Sequence, residues 1–260
     1  MTNPSTIIEE AKQKKLKQLS LDDLNIKQIP EEILSMELTR ISLSNNKITE
    51  IPADFIKLNS LIEVSFYCNK IVDLPTGFNK MNGLARLTLS HNQIKELPQG
   101  IYHHHKPYKY LGFGGIPNLE YLDLSCNKLQ SIPPNFGFLF QLKMLHLSDN
   151  NLKSIPKEFG NLIELHTLVL RNNLLESLPE EIVNMSSLTK LNIQGNKFKI
   201  LPKYINQTRL DQEYSVLSLG GNPWLNCVKN VLKNGGVKKL FWAMKDSGWD
   251  ELVKKELNGG

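Results

Sequence analysis

The sequence predicts an α/β solenoid: repeated coils whose short parallel strands line the inner face of a curved stack, with a helical cap at each end. Three observations predict it. The pattern L-x-x-L-x-L-x-x-N-x-L-x-x-L-P recurs at a nearly constant step. Ile-Pro or Leu-Pro pairs recur in phase with it, at Pro30, Pro52, Pro75, Pro98, Pro133, Pro156, Pro179 and Pro202. Both ends leave that period and take on a helical pattern.

The full copies are LTRISLSNNKITEIP from Leu38, LIEVSFYCNKIVDLP from Leu61, LARLTLSHNQIKELP from Leu84, LEYLDLSCNKLQSIP from Leu119, LKMLHLSDNNLKSIP from Leu142, LHTLVLRNNLLESLP from Leu165 and LTKLNIQGNKFKILP from Leu188. A divergent copy starts at Leu16 and a truncated one at Tyr214, so the starts fall 22, 23, 23, 35, 23, 23, 23 and 26 residues apart. Nine copies in register define a leucine-rich repeat horseshoe with a parallel β-sheet on its concave face.

Each part of the pattern has a physical role. L-x-L puts two apolar side chains on one face of a strand, because side chains alternate. Asparagine at the ninth position, Asn46 through Asn222, sits in the following turn, where its amide can satisfy buried backbone groups. The first copy has Leu24 there instead. Proline fixes φ on the return path and keeps that path out of the sheet. One coil of about 23 residues cannot bury enough apolar surface to offset a backbone entropy cost of about 1–2 kcal/mol per residue, so coils must stack.

The boundaries follow. Residues 1–15 read as an N-terminal cap helix, with Thr6 and Glu9 fitting a capping box ahead of Ile7, Ile8 and Ala11. Residues 16–225 hold the repeats. Residues 226–260 read as a C-terminal helical cap of two or three short amphipathic helices, broken at Gly235-Gly236 and Ser247-Gly248.

The 35-residue step contains LPQGIYHHHKPYKYLGFGGIP, with His103, His104 and His105 in a row. Deleting residues 101–112 restores LPQG-FGGIPNL, which matches LPTG-FNKMNGL in length and shape. The segment is therefore a loop insertion on the convex side, where added length costs little. Consecutive histidines on a loop cannot all aim at one ion, and no Cys, Asp or Glu accompanies them within the insertion, so no metal site is expected.

Composition narrows the function classes. Net charge is +5, but the lysine excess lies in the two ends, and the span between them carries 20 basic and 20 acidic residues. That balance gives no indication of a nucleic-acid partner. No apolar run approaches a membrane span. Three cysteines without paired spacing and a polar N-terminus point to a reducing, cytoplasmic compartment. No phosphate-binding loop, nucleophile elbow or H-E-x-x-H pattern occurs, so neither a catalytic residue nor a cofactor is expected.

Function is expected instead on the variable strand positions, which face the concave side. Tyr67, His91, Tyr121, Asp123, Met144, His146, Val169 and Arg171 gather across the second to sixth full repeats. Aromatic residues with arginine are the side chains that dominate protein–protein interfaces. The expected partner is a protein, bound by a monomer.

The Leu-Pro repeat of 23 residues resembles the Ras-group intracellular leucine-rich repeat family. LDLS at 122–125, LHLSDNN at 145–151, LVLRNN at 168–173, NIQGNKF at 192–198, the N-terminal IIEEAKQKK and above all GNPW at 221–224 carry the likeness. The resemblance implies a non-enzymatic adaptor whose concave arc grips a LIM-domain adaptor of PINCH type, at cell–matrix adhesions or the inner face of the plasma membrane, and which dampens Ras signalling. Asp123, His146 and Arg171 fall on the arc that would meet this partner. A scaffold for a small Ras-like GTPase or a phosphatase is the alternative. The insertion at 101–112 departs from the family pattern.

Overall fold

In the computed structural model, residues 3–99 and 112–258 are described. Nine three-residue strands, one per coil, form a single parallel sheet in strict chain order. They are β1 (Gln18–Ser20), β2 (Arg40–Ser42), β3 (Glu63–Ser65), β4 (Arg86–Thr88), β5 (Tyr121–Asp123), β6 (Met144–His146), β7 (Thr167–Val169), β8 (Lys190–Asn192) and β9 (Val216–Ser218). The middle residue of every strand is buried, and its two neighbours face outward. Register holds across the 35-residue step, where Arg86, Leu87 and Thr88 pair with Tyr121, Leu122 and Asp123. The longer step therefore does not shift the register of the sheet.

Each strand ends in a turn through left-handed backbone at the eighth position. Asp23, Asn45, Cys68, His91, Cys126, Asp149, Asn172, Gly195 and Gly221 all have φ between 52° and 71°. Most are glycine or short polar residues, the types that tolerate this region best. The ninth-position asparagine then ties two coils together. Asn150 accepts from Leu129 N–H of the preceding coil at 3.0 Å and donates to the carbonyls of Leu124 at 3.0 Å and Leu147 at 3.2 Å. The ladder runs from Asn46, which serves Leu24 and Ile26 of the first coil, to Asn222. The first coil thus needs no asparagine of its own to satisfy its turn.

Opposite the sheet, short 3-10 helices follow the prolines, as at Ala53–Lys57 after Pro52 and Lys157–Asn161 after Pro156. Their buried faces carry a row the repeat pattern had not singled out: Phe55, Phe78, Phe136 and Phe159, replaced by Ile33, Ile182 and Ile205 toward the ends. Gly114, Gly137 and Gly160 let these helices touch, since a Cβ at Gly137 would lie 2.5 Å from the Glu158 carbonyl oxygen. Gly112 opens the 3-10 helix Gly112–Gly115 and shares the left-handed backbone of Gly77 one coil earlier. It therefore belongs to the coil rather than to the insertion expected at 101–112. Residues 101–111, including the three histidines, lie outside the described residues.

The caps close both ends. Helix α1 (Pro4–Gln13) buries Ile8 and Ala11. Its cap is Asn3, whose side chain accepts from Ser5 N–H at 3.1 Å, with Pro4 at the first helical position. The expected capping box at Thr6 and Glu9 does not form, because Thr6 already lies inside the first turn. At the other end, Trp224 of the GNPW stretch is buried beside Phe198 and donates its indole N–H to the Leu219 carbonyl at 3.0 Å. Helix α2 (Asn226–Ala243) breaks at Gly236, and α3 (Gly248–Asn258) packs back on it. The N-terminus of α2 has no cap of its own and borrows one: Glu256 of α3 accepts from Asn226 and Cys227 N–H at 2.7 and 2.8 Å. A carboxylate there also complements the helix dipole. Among the described residues, no helix is long and apolar enough to cross a membrane.

Candidate functional site

The outward strand residues form rows across the sheet, one residue per coil, at the ~4.8 Å spacing of paired strands. The rows differ along their length. At the N-terminal end, the small hydroxyl residues satisfy one another. Ser20 and Ser42 donate to Asp22 at 2.9 and 2.5 Å, Ser42 and Ser44 share a 2.9 Å bond, and Ser44 and Ser65 another. Groups already paired in this way have little hydrogen-bonding capacity left for a ligand.

The character changes from β3 onward. Tyr67, 39% exposed, sets its ring edge-on to His91 at 5.1 Å between centroids. The Arg86 guanidinium lies over the Tyr121 ring at 4.4 Å, a cation–π contact. Its Nε also lies 3.7 Å from Glu63, which reaches Arg40 at 3.5 Å on the other side. The Tyr121 ring then meets His146 at 5.6 Å. Burial, and secondarily the Asp123 carboxylate, push the Tyr121 phenol above its usual range, while Arg86 pulls the other way. Tyr121 therefore remains a neutral phenol at physiological pH.

Five of the eight expected residues are neighbours by register: Tyr121 pairs with Met144, Asp123 with His146 and His146 with Val169. Met144 is 37% exposed. Asp123 also accepts from Ser125 N–H at 2.9 Å, which fixes its carboxylate. The Nε2 of His146 is buried and has no hydrogen-bond partner among the described residues. Arg171 is exposed on the turn after β7, and among the described residues its guanidinium forms no ion pair. His91 is placed differently from the expectation. It occupies the left-handed turn position after β4 rather than a strand position.

Arg40, Glu63 and Arg86 were missed. They occupy the same repeat position as Tyr121 and Met144, so reading that row down the alignment would have found them. Among the described residues, no group of three or more His, Cys, Asp or Glu side chains could hold a metal ion. Burial, with nearby carboxylates, raises the Cys126 and Cys227 thiols above their usual range, which disfavours the nucleophilic thiolate.

An open parallel sheet with a mixed aromatic and charged inner face is the architecture of a protein-interaction scaffold. The chain belongs to the leucine-rich repeat family. A family profile described as a leucine-rich repeat region matches residues 115–257, and a second leucine-rich repeat profile matches residues 36–94. No curated protein matches the sequence. Among solved structures, the leucine-rich repeat protein LIC12759 of Leptospira interrogans is 25% identical with a TM-score of 0.56, over 85% of this chain and 64% of that one. An internalin, inlF, of Listeria monocytogenes is 26% identical with a TM-score of 0.55, over 68% and 47%. The plant peptide hormone receptor RGFR1, solved in complex with RGF2, is 25% identical with a TM-score of 0.63, over 80% and 31%. The chain spans less than two thirds of the length of each. Leucine-rich repeat proteins generally mediate protein–protein interactions.

Proposed function

We propose that this chain is a non-enzymatic adaptor that grips a protein partner on the concave face between β3 and β7. The observation that carries the reading is two chains of contact, Tyr67–His91 and Arg86–Tyr121–His146. Aromatic and arginine side chains there are partly exposed but held in place by one another. Such pre-ordered anchors lose little entropy on binding. That a similar structure, the plant receptor, was solved in complex with RGF2 supports a ligand-holding role for the array.

The partner suggested by the resemblance is a LIM-domain adaptor of PINCH type. The chain would act as Ras suppressor protein does, tying such an adaptor to cytoplasmic adhesion assemblies and damping Ras signalling. The test uses the purified chain and an isolated LIM domain of that class in calorimetry. Combined Tyr121→Ala, His146→Ala and Arg171→Ala substitutions should abolish binding while the melting temperature holds. Binding that survives the triple variant refutes the surface. A chain that ignores LIM domains but captures a small GTPase in one nucleotide state, or a phosphatase, moves the partner to the alternative class.

A further inference from the structure

The balanced charge of the repeat body hides a spatial segregation. In each coil the residues at positions ten and twelve flank a buried eleventh, so both emerge on the side of the solenoid past the C-terminal ends of the strands. Lysine recurs there. Lys27, Lys47 and Lys70 line one recess of about 620 Å³ with Gln28 and Thr49. Lys153, Lys197 and Lys199 line a second, of about 890 Å³, beside Leu174, Ser177, Ile200, Pro223 and one acid, Glu176. Lys95 and Lys128 occupy the same positions in the coils between, so the stripe runs most of the length of the array.

All eight lysines are exposed, and among the described residues none forms an ion pair. Only Lys128 has a side-chain partner there, the neutral Gln93 at 3.3 Å. Glu176 is the one acid at these two positions. The acids at position thirteen, Glu50, Asp73 and Glu96, border the stripe, and Glu50 lines a separate recess with Glu31 and Asp54.

We propose that this flank docks on an anionic phospholipid bilayer, the two lysine-lined recesses receiving headgroup phosphates. Three features favour a lipid surface over a nucleic acid. Stacked coils bring their flanks into a common plane, which suits a flat target. The stripe is lysine without arginine or aromatic residues, so it lacks the side chains that read or stack bases. The second recess adds apolar surface, with Leu174 38% exposed, which suits the boundary between headgroups and acyl chains. Docking there leaves the concave face open, so the two sites are independent.

The test is co-sedimentation of the full chain with vesicles of phosphatidylcholine alone and of phosphatidylcholine with phosphatidylserine. Binding is expected only to the anionic vesicles and falls as salt rises. Each lysine contributes about fivefold. Combined Lys47→Gln, Lys70→Gln, Lys197→Gln and Lys199→Gln should therefore weaken binding by roughly 600-fold, whereas arginine at the same four positions retains it. Equal sedimentation with neutral vesicles, or a glutamine variant that binds like the parent, overturns the proposal. So does loss of binding through Lys238→Gln, Lys239→Gln and Lys245→Gln in the C-terminal cap while the flank variant still binds. Tighter capture of a mixed-sequence DNA duplex than of the anionic vesicles overturns it in favour of nucleic acid.

Discussion

Replacing Asn150 with alanine isolates what the asparagine ladder contributes. The side chain is buried and makes two kinds of bond. Its Nδ2 donates to Leu124 and Leu147 carbonyls, but each of these also accepts from a second asparagine, Asn127 at 3.0 Å and Asn173 at 2.9 Å. Those carbonyls lose one of two partners, a net cost of about 0.5–1.5 kcal/mol each. The Leu129 N–H has no substitute for Asn150 Oδ1 and is left buried and unpaired, at about 1–3 kcal/mol. The sum is about 2–6 kcal/mol, or roughly 4–24 °C in melting temperature for a chain of this size. Urea unfolding should be followed by circular dichroism and by tryptophan fluorescence. All three tryptophans, Trp224, Trp242 and Trp249, lie at the C-terminal end, so fluorescence reads the cap while dichroism reads the whole array. Both midpoints should fall together if the ladder couples the coils. Asn222→Ala, at the half-buried end of the ladder, should cost about half as much, on the same scale. An Asn150→Ala variant within 0.5 kcal/mol of the parent, about the scatter of ordinary surface substitutions, would refute the reasoning.

Three further outcomes are expected. Gly137→Ala forces a Cβ to within 2.5 Å of the Glu158 carbonyl oxygen and should destabilise by about 1–3 kcal/mol in chemical denaturation. Glu256→Ala removes the borrowed cap of α2 at a cost of about 1 kcal/mol, and hydrogen exchange should quicken over residues 226–258 with the strands unchanged. Iodoacetamide at mildly alkaline pH should alkylate exposed Cys68 first. Cys126 and Cys227, whose thiols are pushed upward by burial, should lag and speed up as pH rises, read by peptide mass spectrometry.

Much of this protein was already determined by its order of residues. The repeat fixes strand, turn and return path because each coil solves the same problem with the same side chains. Alternation buries Leu122 or Leu145, and Asn127 or Asn150 pairs the turn. The Tyr121, Asp123, Met144, His146 and Val169 cluster was equally legible, since constant register turns alignment columns into spatial neighbours. What tertiary structure alone decided lies between columns and between distant segments. Tyr67 against His91, Asn3 rather than Thr6 at the cap and Glu256 reaching the start of α2 depend on side-chain reach. No spacing rule encodes that. The lysine flank follows two alignment columns, but summed along the chain its charges cancel, and only stacking shows that they share one side with the acids at their border. A one-dimensional pattern specifies which residues share a row, but the field and contacts of a surface arise from rows seen side by side.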